Sequence, residues 1–285
     1  MKNFCLVTGA SGFLGSHVAD ILTAKGYKVA LFDKKYSKFK KKNQKMILGD
    51  IGNSKDLEKG LKNIDTLFHF AASADLKESN KKPFETIENN IMGTAKILQA
   101  CLKNKVKKII FASSIYARSE QGGIYSTSKL SSEMIIERIC KKFKIKFVIL
   151  RFGTVYGERA NKFNTVQNFI NEAKKKSKIY RNTKGNEIRS YIHVKDVAKI
   201  VNFSTLKKYE NGYYNIFGEK KIMVKKLLDV IKEYIPKLKI YFTKSDNREY
   251  NYKTNPFTYK LREGKNIRLK KYINIKTAIN KLVKE

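Results

Sequence analysis

Short apolar runs alternate along the first half of the chain with longer segments whose apolar residues recur every three to four positions. Asn3 to Thr8 is one such run. It ends in Thr8-Gly9-Ala10-Ser11-Gly12-Phe13-Leu14-Gly15, after which Ser16 to Lys25 has helical spacing and Lys28 to Asp33 is apolar again. Strand, tight turn, helix and strand make a βαβ unit, whose connection is right-handed and whose strands run parallel. The same pattern places strands at Lys45 to Gly49, Thr66 to Phe70, Lys108 to Ser113 and Lys146 to Leu150. Helices fall over 54–61, 83–104 and 126–142. Such alternation predicts an α/β fold built on a doubly wound parallel sheet.

Beyond Arg151 the alternation fades. A helical stretch near 163–176, a short segment at 188–193 and helices near 195–206 and 223–234 follow, and 236–285 carries the weakest pattern. A smaller lobe is expected from this half, closing over the C-terminal edge of the sheet. The sequence has no internal repeat, and three prolines make no Pro-rich linker.

Composition sharpens this picture. With 42% hydrophobic and 12% aromatic residues, 285 residues bury a sizeable core, which excludes wholesale disorder. The formal charge is +36, from 61 Lys+Arg against 25 Asp+Glu. Of these cations 52 are lysine and 9 arginine, spread along the whole chain. A specific nucleic-acid reader concentrates its cations on one face and favours arginine, so no specific nucleic-acid partner is expected, although the field attracts anions. The densest run, Lys34 to Lys45, has seven lysines in twelve residues and reads as a solvated loop. Cys5, Cys101 and Cys140 lack CxxC or zinc spacing and read as reduced thiols, with no metal site implied. No run approaches the roughly 18 apolar residues of a membrane span, and the N-terminus does not read as a signal peptide. The expected setting is cytoplasmic, without a membrane partner.

Two motifs carry candidate chemistry. Gly9, Gly12 and Gly15 lie between a strand and a helix, where glycines let the backbone approach a pyrophosphate and the helix N-terminus offers unpaired N–H groups. Asp33 ends the next strand, placed to bind both ribose hydroxyls of NAD and to repel the 2′-phosphate of NADP. NAD is therefore preferred, although Lys34 and Lys35 beside it could neutralise a phosphate. Tyr125 and Lys129 stand four apart, on one helical face. A phenol is a poor base at neutral pH, and a neighbouring ammonium favours its phenolate. Ser114, just past an apolar strand, is placed to donate a hydrogen bond to the same substrate oxygen.

With these motifs in this order, the chain resembles the extended short-chain dehydrogenase/reductase family, in particular its nucleotide-sugar epimerases and dehydratases of the UDP-glucose 4-epimerase-like kind. Gly9 to Gly15 is similar to TGxxGxxG, Asp50-Ile51 to the element that holds adenine, and His69-Phe70-Ala71-Ala72 to HxAA. Asn90 to Thr94 resembles NVxGT, Ser113-Ser114 the active-site serines, and Tyr125 to Lys129 the YxxxK. Arg151 to Gly157 resembles the strand and turn leading into the sugar-nucleotide lobe. Arg189 to Asp196 is similar to RDYIHVxD, whose arginine contacts the substrate diphosphate; the planar fork of Arg189 suits two phosphate oxygens.

The resemblance implies a Rossmann-type NAD-binding domain over 1–155, also taking 189–206, and a mainly substrate-binding lobe over 156–285. It implies cofactor contacts from Gly9, Ser11, Gly12, Phe13, Leu14, Gly15, Asp33, Asp50, Ile51, Ala71, Ala72, Asn90, Ser113, Tyr125 and Lys129. Substrate contacts fall to Ser114, Thr154, Arg159 and Arg189. The implied reaction is epimerisation of a nucleotide-diphosphate sugar through a transient keto sugar, with Ser114, Tyr125 and Lys129 catalytic. Reduction, decarboxylation and dehydration on the same scaffold are the alternatives, and a nucleic-acid-binding family member is a further one. Apolar residues on more than one side of the helices Met92 to Leu102 and Leu130 to Ile139 fit a homodimer, as in the family.

The chain also departs from the pattern. Dehydratases carry an acidic pair directly after the active-site Ser/Thr; Ile115 and Tyr116 stand there, which disfavours elimination. Tyr125 follows Ser114 by only eleven positions, so a loop that skirts the sugar is trimmed. Ala117-Arg118 replaces a common aromatic-glycine pair, Thr154 a common asparagine and Ser190 a common aspartate. His193 and His17 read as structural residues, since Tyr125 fills the role of base.

Overall fold

The computed structural model describes residues 4–243 and 251–260. Seven strands form the central sheet: β1 (Phe4–Thr8), β2 (Lys28–Asp33), β3 (Lys45–Leu48), β4 (Thr66–His69), β5 (Lys108–Ser114), β6 (Lys146–Phe152) and β10 (Gly212–Ile216). Their spatial order is β10-β6-β5-β4-β1-β2-β3, and every pairing is parallel. This is a Rossmann-type sheet with one added edge strand.

The apolar runs form strands because both faces of the sheet are covered, so alternate side chains are buried on opposite sides. Leu6, Phe32, Leu67, Phe111 and Phe147 face one layer, where they meet α2 (Ser54–Leu61), α5 (Gly93–Lys103) and α6 (Gly123–Lys142) through Leu57, Leu98 and Ile136. Val7, Leu31, Phe68, Ile110 and Val148 face the other, against Val18 and Leu22 of α1 (Phe13–Ala24) and Val197 and Val201 of α8 (Val194–Phe203). Cys5, Cys101 and Cys140 are buried and free. Among the described residues no helix is long and apolar enough to cross a membrane.

Differences from the sequence reading have local causes. The helix expected over 83–104 is divided into α4 (Pro83–Ile87) and α5 by a widened turn at Glu88–Met92. There the buried Asn90 side chain turns inward onto the loop after β4, a departure of the kind π-turns accommodate. The helix expected from 126 begins at Gly123, because Gly122 (φ 97°) and Gly123 (φ 55°) bring the backbone into the turn through left-handed conformations. The short polar helix α3 (Leu76–Lys81) had no apolar period to reveal it; Asp75 caps its first N–H groups.

The latter half divides. The segment 189–206 splits between two layers: α8 packs on α1, while β9 (Ile188–His193) lies between β7 (Thr154–Tyr156) and β11 (Lys221–Met223) in a small separate sheet. β10 then returns the chain to the main sheet beside β6. A third apolar cluster joins Phe169 and Ala173 of α7 (Thr165–Lys176), Ile179 of β8 (Lys178–Arg181) and Leu228 and Ile231 of α9 (Val224–Tyr234). β8 pairs with β12 (Lys239–Phe242). Residues 261–285, expected in the substrate lobe, lie outside the described residues.

Candidate active site

A cavity of about 1090 Å³ runs along the C-terminal ends of β1, β2, β4, β5 and β6 and continues under α7, β8 and β9. At one end lies the glycine turn. Gly9 is left-handed (φ 69°), and a Cβ there would stand 2.7 Å from the Ala71 nitrogen. At Gly15 a Cβ would run into the Gly9 carbonyl, so α1 packs this close to β1 only without side chains. Gly12 caps α1 without a side-chain bond to its N–H groups, and Gly12, Phe13 and Leu14 line the cavity. The free N–H groups and the positive helix end suit a pyrophosphate.

Asp33, at the end of β2, is fixed by backbone donors on both oxygens: Ser11 N–H to Oδ2 (3.0 Å) and Lys35 N–H to Oδ1 (3.1 Å). Ser11 holds the turn through its hydroxyl, which donates to the Lys35 carbonyl, and does not itself line the cavity. Ile51 lines it, whereas Asp50 stands behind. Burial alone would raise the Asp50 carboxyl, but the Gly52 N–H and the Lys34 ammonium (3.0 Å) hold it below the usual range. Ala71 and Ala72 form the wall after β4. Asn90 is also set back: it grips Ser73 through both backbone groups and donates to Ser128, which fixes that wall in place. These donors, glycines and the paired-oxygen carboxylate fit a dinucleotide.

The three expected catalytic side chains all line the cavity. Ser114 ends β5, and Tyr125 stands in the first turn of α6 with its phenol near the Ser114 hydroxyl. Burial pushes the Tyr125 phenol up, and the neighbouring Ser114 hydroxyl pulls it partly back. One turn on, the Lys129 ammonium donates to the Ala112 carbonyl (2.8 Å) and lies 4.8 Å from the Phe111 ring centroid. Burial lowers the Lys129 pKa to about 8, against the raising effect of Glu133.

Glu133, a further turn along α6, went unnoticed in the sequence. It is 1% exposed and accepts from Ser113 Oγ (2.5 Å) and from Arg151 Nε and Nη2 (2.9 and 2.7 Å). Ser113 thus lines the cavity while its hydroxyl is engaged by Glu133. The available signal was position: Tyr125, Lys129 and Glu133 are spaced by four on one face.

The substrate residues fare unevenly. Thr154 and Arg189 line the cavity, Thr154 near the Tyr252 phenol. Arg189 donates to the Ile188 and Lys253 carbonyls and its guanidinium stacks 4.1 Å from the Tyr252 ring centroid. Arg159 is not brought there. Its left-handed backbone (φ 62°) sends the guanidinium to Asp20 (2.9 Å) and onto Phe39, where it ties the lysine-rich loop to α1. His193 caps α8, and His17 bonds the Glu158 carbonyl (2.9 Å).

Residues 5–217 match the model of the NAD-dependent epimerase/dehydratase family. A UDP-N-acetyl-alpha-D-glucosaminuronate decarboxylase of Bacillus cytotoxicus is 30% identical, over 77% of this chain and 76% of its own. A UDP-glucose 4-epimerase of Halalkalibacterium halodurans is 27% identical, over 80% and 79%. Among solved structures, the UDP-N-acetylglucosamine 4-epimerase of Methanobrevibacter ruminantium, in complex with UDP-N-acetylmuramic acid, superposes with a TM-score of 0.80. It is 26% identical and covers 91% of this chain and 92% of its own. The glycine turn, the Ser114–Tyr125–Lys129 cluster and these likenesses agree: the chain belongs to the NAD-dependent epimerase/dehydratase family.

Proposed function

We propose that the protein is an NAD-dependent epimerase of a nucleotide-diphosphate sugar, with UDP as the first nucleotide to try because the similar enzymes named above act on or bind UDP-sugars. The carrying observation is the Ser114–Tyr125–Lys129 cluster facing the cavity with Ile115 and Tyr116 directly after the serine. Elimination needs an acid and a base beyond the redox step, and those two side chains supply neither ionised group. When bound, NAD supplies the reversible acceptance and return of a hydride at the sugar carbon. Tyr125 takes the proton from the hydroxyl on that carbon and later gives it back, Ser114 orients the oxygen, and the Lys129 charge favours the phenolate. Arg189 is assigned to the diphosphate and Asp33 to the adenosine ribose.

Native mass spectrometry of the purified protein, followed by denaturation and chromatography of released nucleotides, tests this reading. NAD with a nucleotide-diphosphate sugar, and interconversion of two sugar epimers without net NADH, is the expected result. Stoichiometric consumption of NADH would make it a reductase, and carbon dioxide release a decarboxylase. The same spectrum reads the assembly, for which we propose a homodimer through the face carrying the exposed Met92 and Met134.

Two further outcomes follow from the site. Because Lys129 must keep its proton to support the phenolate, kcat/KM is expected to fall as pH rises through about 8; a profile from pH 6 to 10 checks this. Asp33→Ala removes the ribose acceptor and the repulsion of a 2′-phosphate. NAD affinity should then fall by roughly tenfold or more, from one lost charge-assisted bond, while NADP affinity rises, as read by fluorescence titration.

A further inference from the structure

The short crossing from Ser114 to Tyr125 leaves a gap that another part of the chain fills. After β5 the backbone makes a tight turn at Ile115–Arg118, and residues 251–259 close over it. Thr258 and Tyr259 N–H both donate to the Arg118 carbonyl (2.9 and 3.0 Å), and the Glu120 N–H donates to Thr258 Oγ1 (2.9 Å). The Tyr116 ring rests on Tyr252 with centroids 5.2 Å apart, and the Arg189 guanidinium covers Tyr252 in turn. The Tyr116 hydroxyl donates to Asn251 Oδ1 (2.9 Å). Both residues line the cavity alongside Ser114, and the Tyr116 ring centroid is 6.5 Å from that of Tyr125.

We propose that Tyr116 and Asn251 form the edge of the site that recognises the sugar ring, selecting a neutral hydroxyl over a carboxylate. This rests on the reading of the protein as a nucleotide-sugar enzyme. With its proton given to Asn251, Tyr116 Oη keeps lone pairs to accept a hydrogen bond. The Asn251 amide nitrogen, which has no hydrogen-bond partner among the described residues, keeps N–H groups to donate. An acceptor and a donor side by side match one sugar hydroxyl, which can give a proton to Oη and accept one from Nδ2. A hexuronate carboxylate only accepts, so it leaves Oη facing another lone pair. Burial pushes the Tyr116 phenol up, so the group remains a neutral hydroxyl where the enzyme works.

Calorimetric titration of the NAD-loaded protein with UDP, UDP-glucose and UDP-glucuronate tests this. Wild-type protein should bind UDP-glucose at least tenfold more tightly than UDP-glucuronate. Tyr116→Phe should weaken UDP-glucose about tenfold, leave UDP and NAD unchanged, and abolish the discrimination. Asn251→Asp keeps the acceptor for Tyr116 but loses the N–H donors; it should weaken UDP-glucose similarly and carries the test if Tyr116→Phe does not fold. An unchanged ratio of UDP-glucose to UDP affinity in both variants overturns the sugar role, as does an equal loss of UDP itself. A wild-type protein that binds none of the three overturns the proposed function and this inference with it.

Discussion

Tyr125→Phe is expected to lower turnover by about 10³-fold while leaving NAD and nucleotide-sugar affinity within a few-fold of wild type. The phenyl ring keeps the packing at the start of α6, so the cavity retains its shape, and only the phenol oxygen beside Ser114 is lost. No neighbouring group takes over its task. Lys129 is one turn away and holds the Ala112 carbonyl, and His193 caps α8. His69 is fully buried between Thr8 and Thr94, with burial driving its pKa down to about 3, so it remains a neutral structural residue. The decisive measurement is single-turnover reduction of bound NAD by the sugar nucleotide, which isolates the chemical step from product release. Retention of more than a tenth of the wild-type rate would remove Tyr125 as the base.

Much of this was legible because it rests on local grammar. The runs ending at Thr8 and Asp33 are buried on both faces and therefore nearly continuous in apolar residues, and the glycine turn between them serves close packing and an anion at once. Tyr125 and Lys129 were visible through helical spacing. What escaped depends on contacts between distant parts of the chain. β10 contains only one fully buried residue, Ile216, and owes its strand form to the edge of β6. Arg159 follows the family-like strand and turn, yet its backbone conformation directs it to Asp20, some 140 residues earlier. Asn251 has no pattern at all until the fold brings it to Tyr116 across 135 residues. Ser113 lines the cavity, and only the tertiary partner Glu133 decides which group its hydroxyl bonds.

That partner carries the second large expected effect. Glu133→Ala should destabilise the protein by about 3–5 kcal/mol, because removing one member of a buried ion pair leaves the other without compensation. The Arg151 side chain is 14% exposed and has both its bonds to this one carboxylate, and Ser113 loses its acceptor in the same step. For a chain of 285 residues that is a drop in Tm of about 5–10 °C. Glu133→Gln keeps an oxygen for Arg151 and a polar partner for Ser113, so it should cost less while still removing the charge. The charge matters to Lys129, which loses a raising influence, so its pKa falls further below about 8. Between the folded and the ordinary lysine pKa the unfolded chain binds more protons, so stability rises with pH across that window. In both variants the window opens at lower pH, and the stability deficit should therefore be smaller at pH 9 than at pH 6.5. The alkaline fall in kcat/KM should move down in step, including in Glu133→Gln where the fold is least disturbed. Denaturant unfolding at the two pH values, with the pH profile of Glu133→Gln beside it, separates this coupling from packing alone: a deficit that does not change with pH and an unmoved alkaline limb would leave Glu133 a structural residue only.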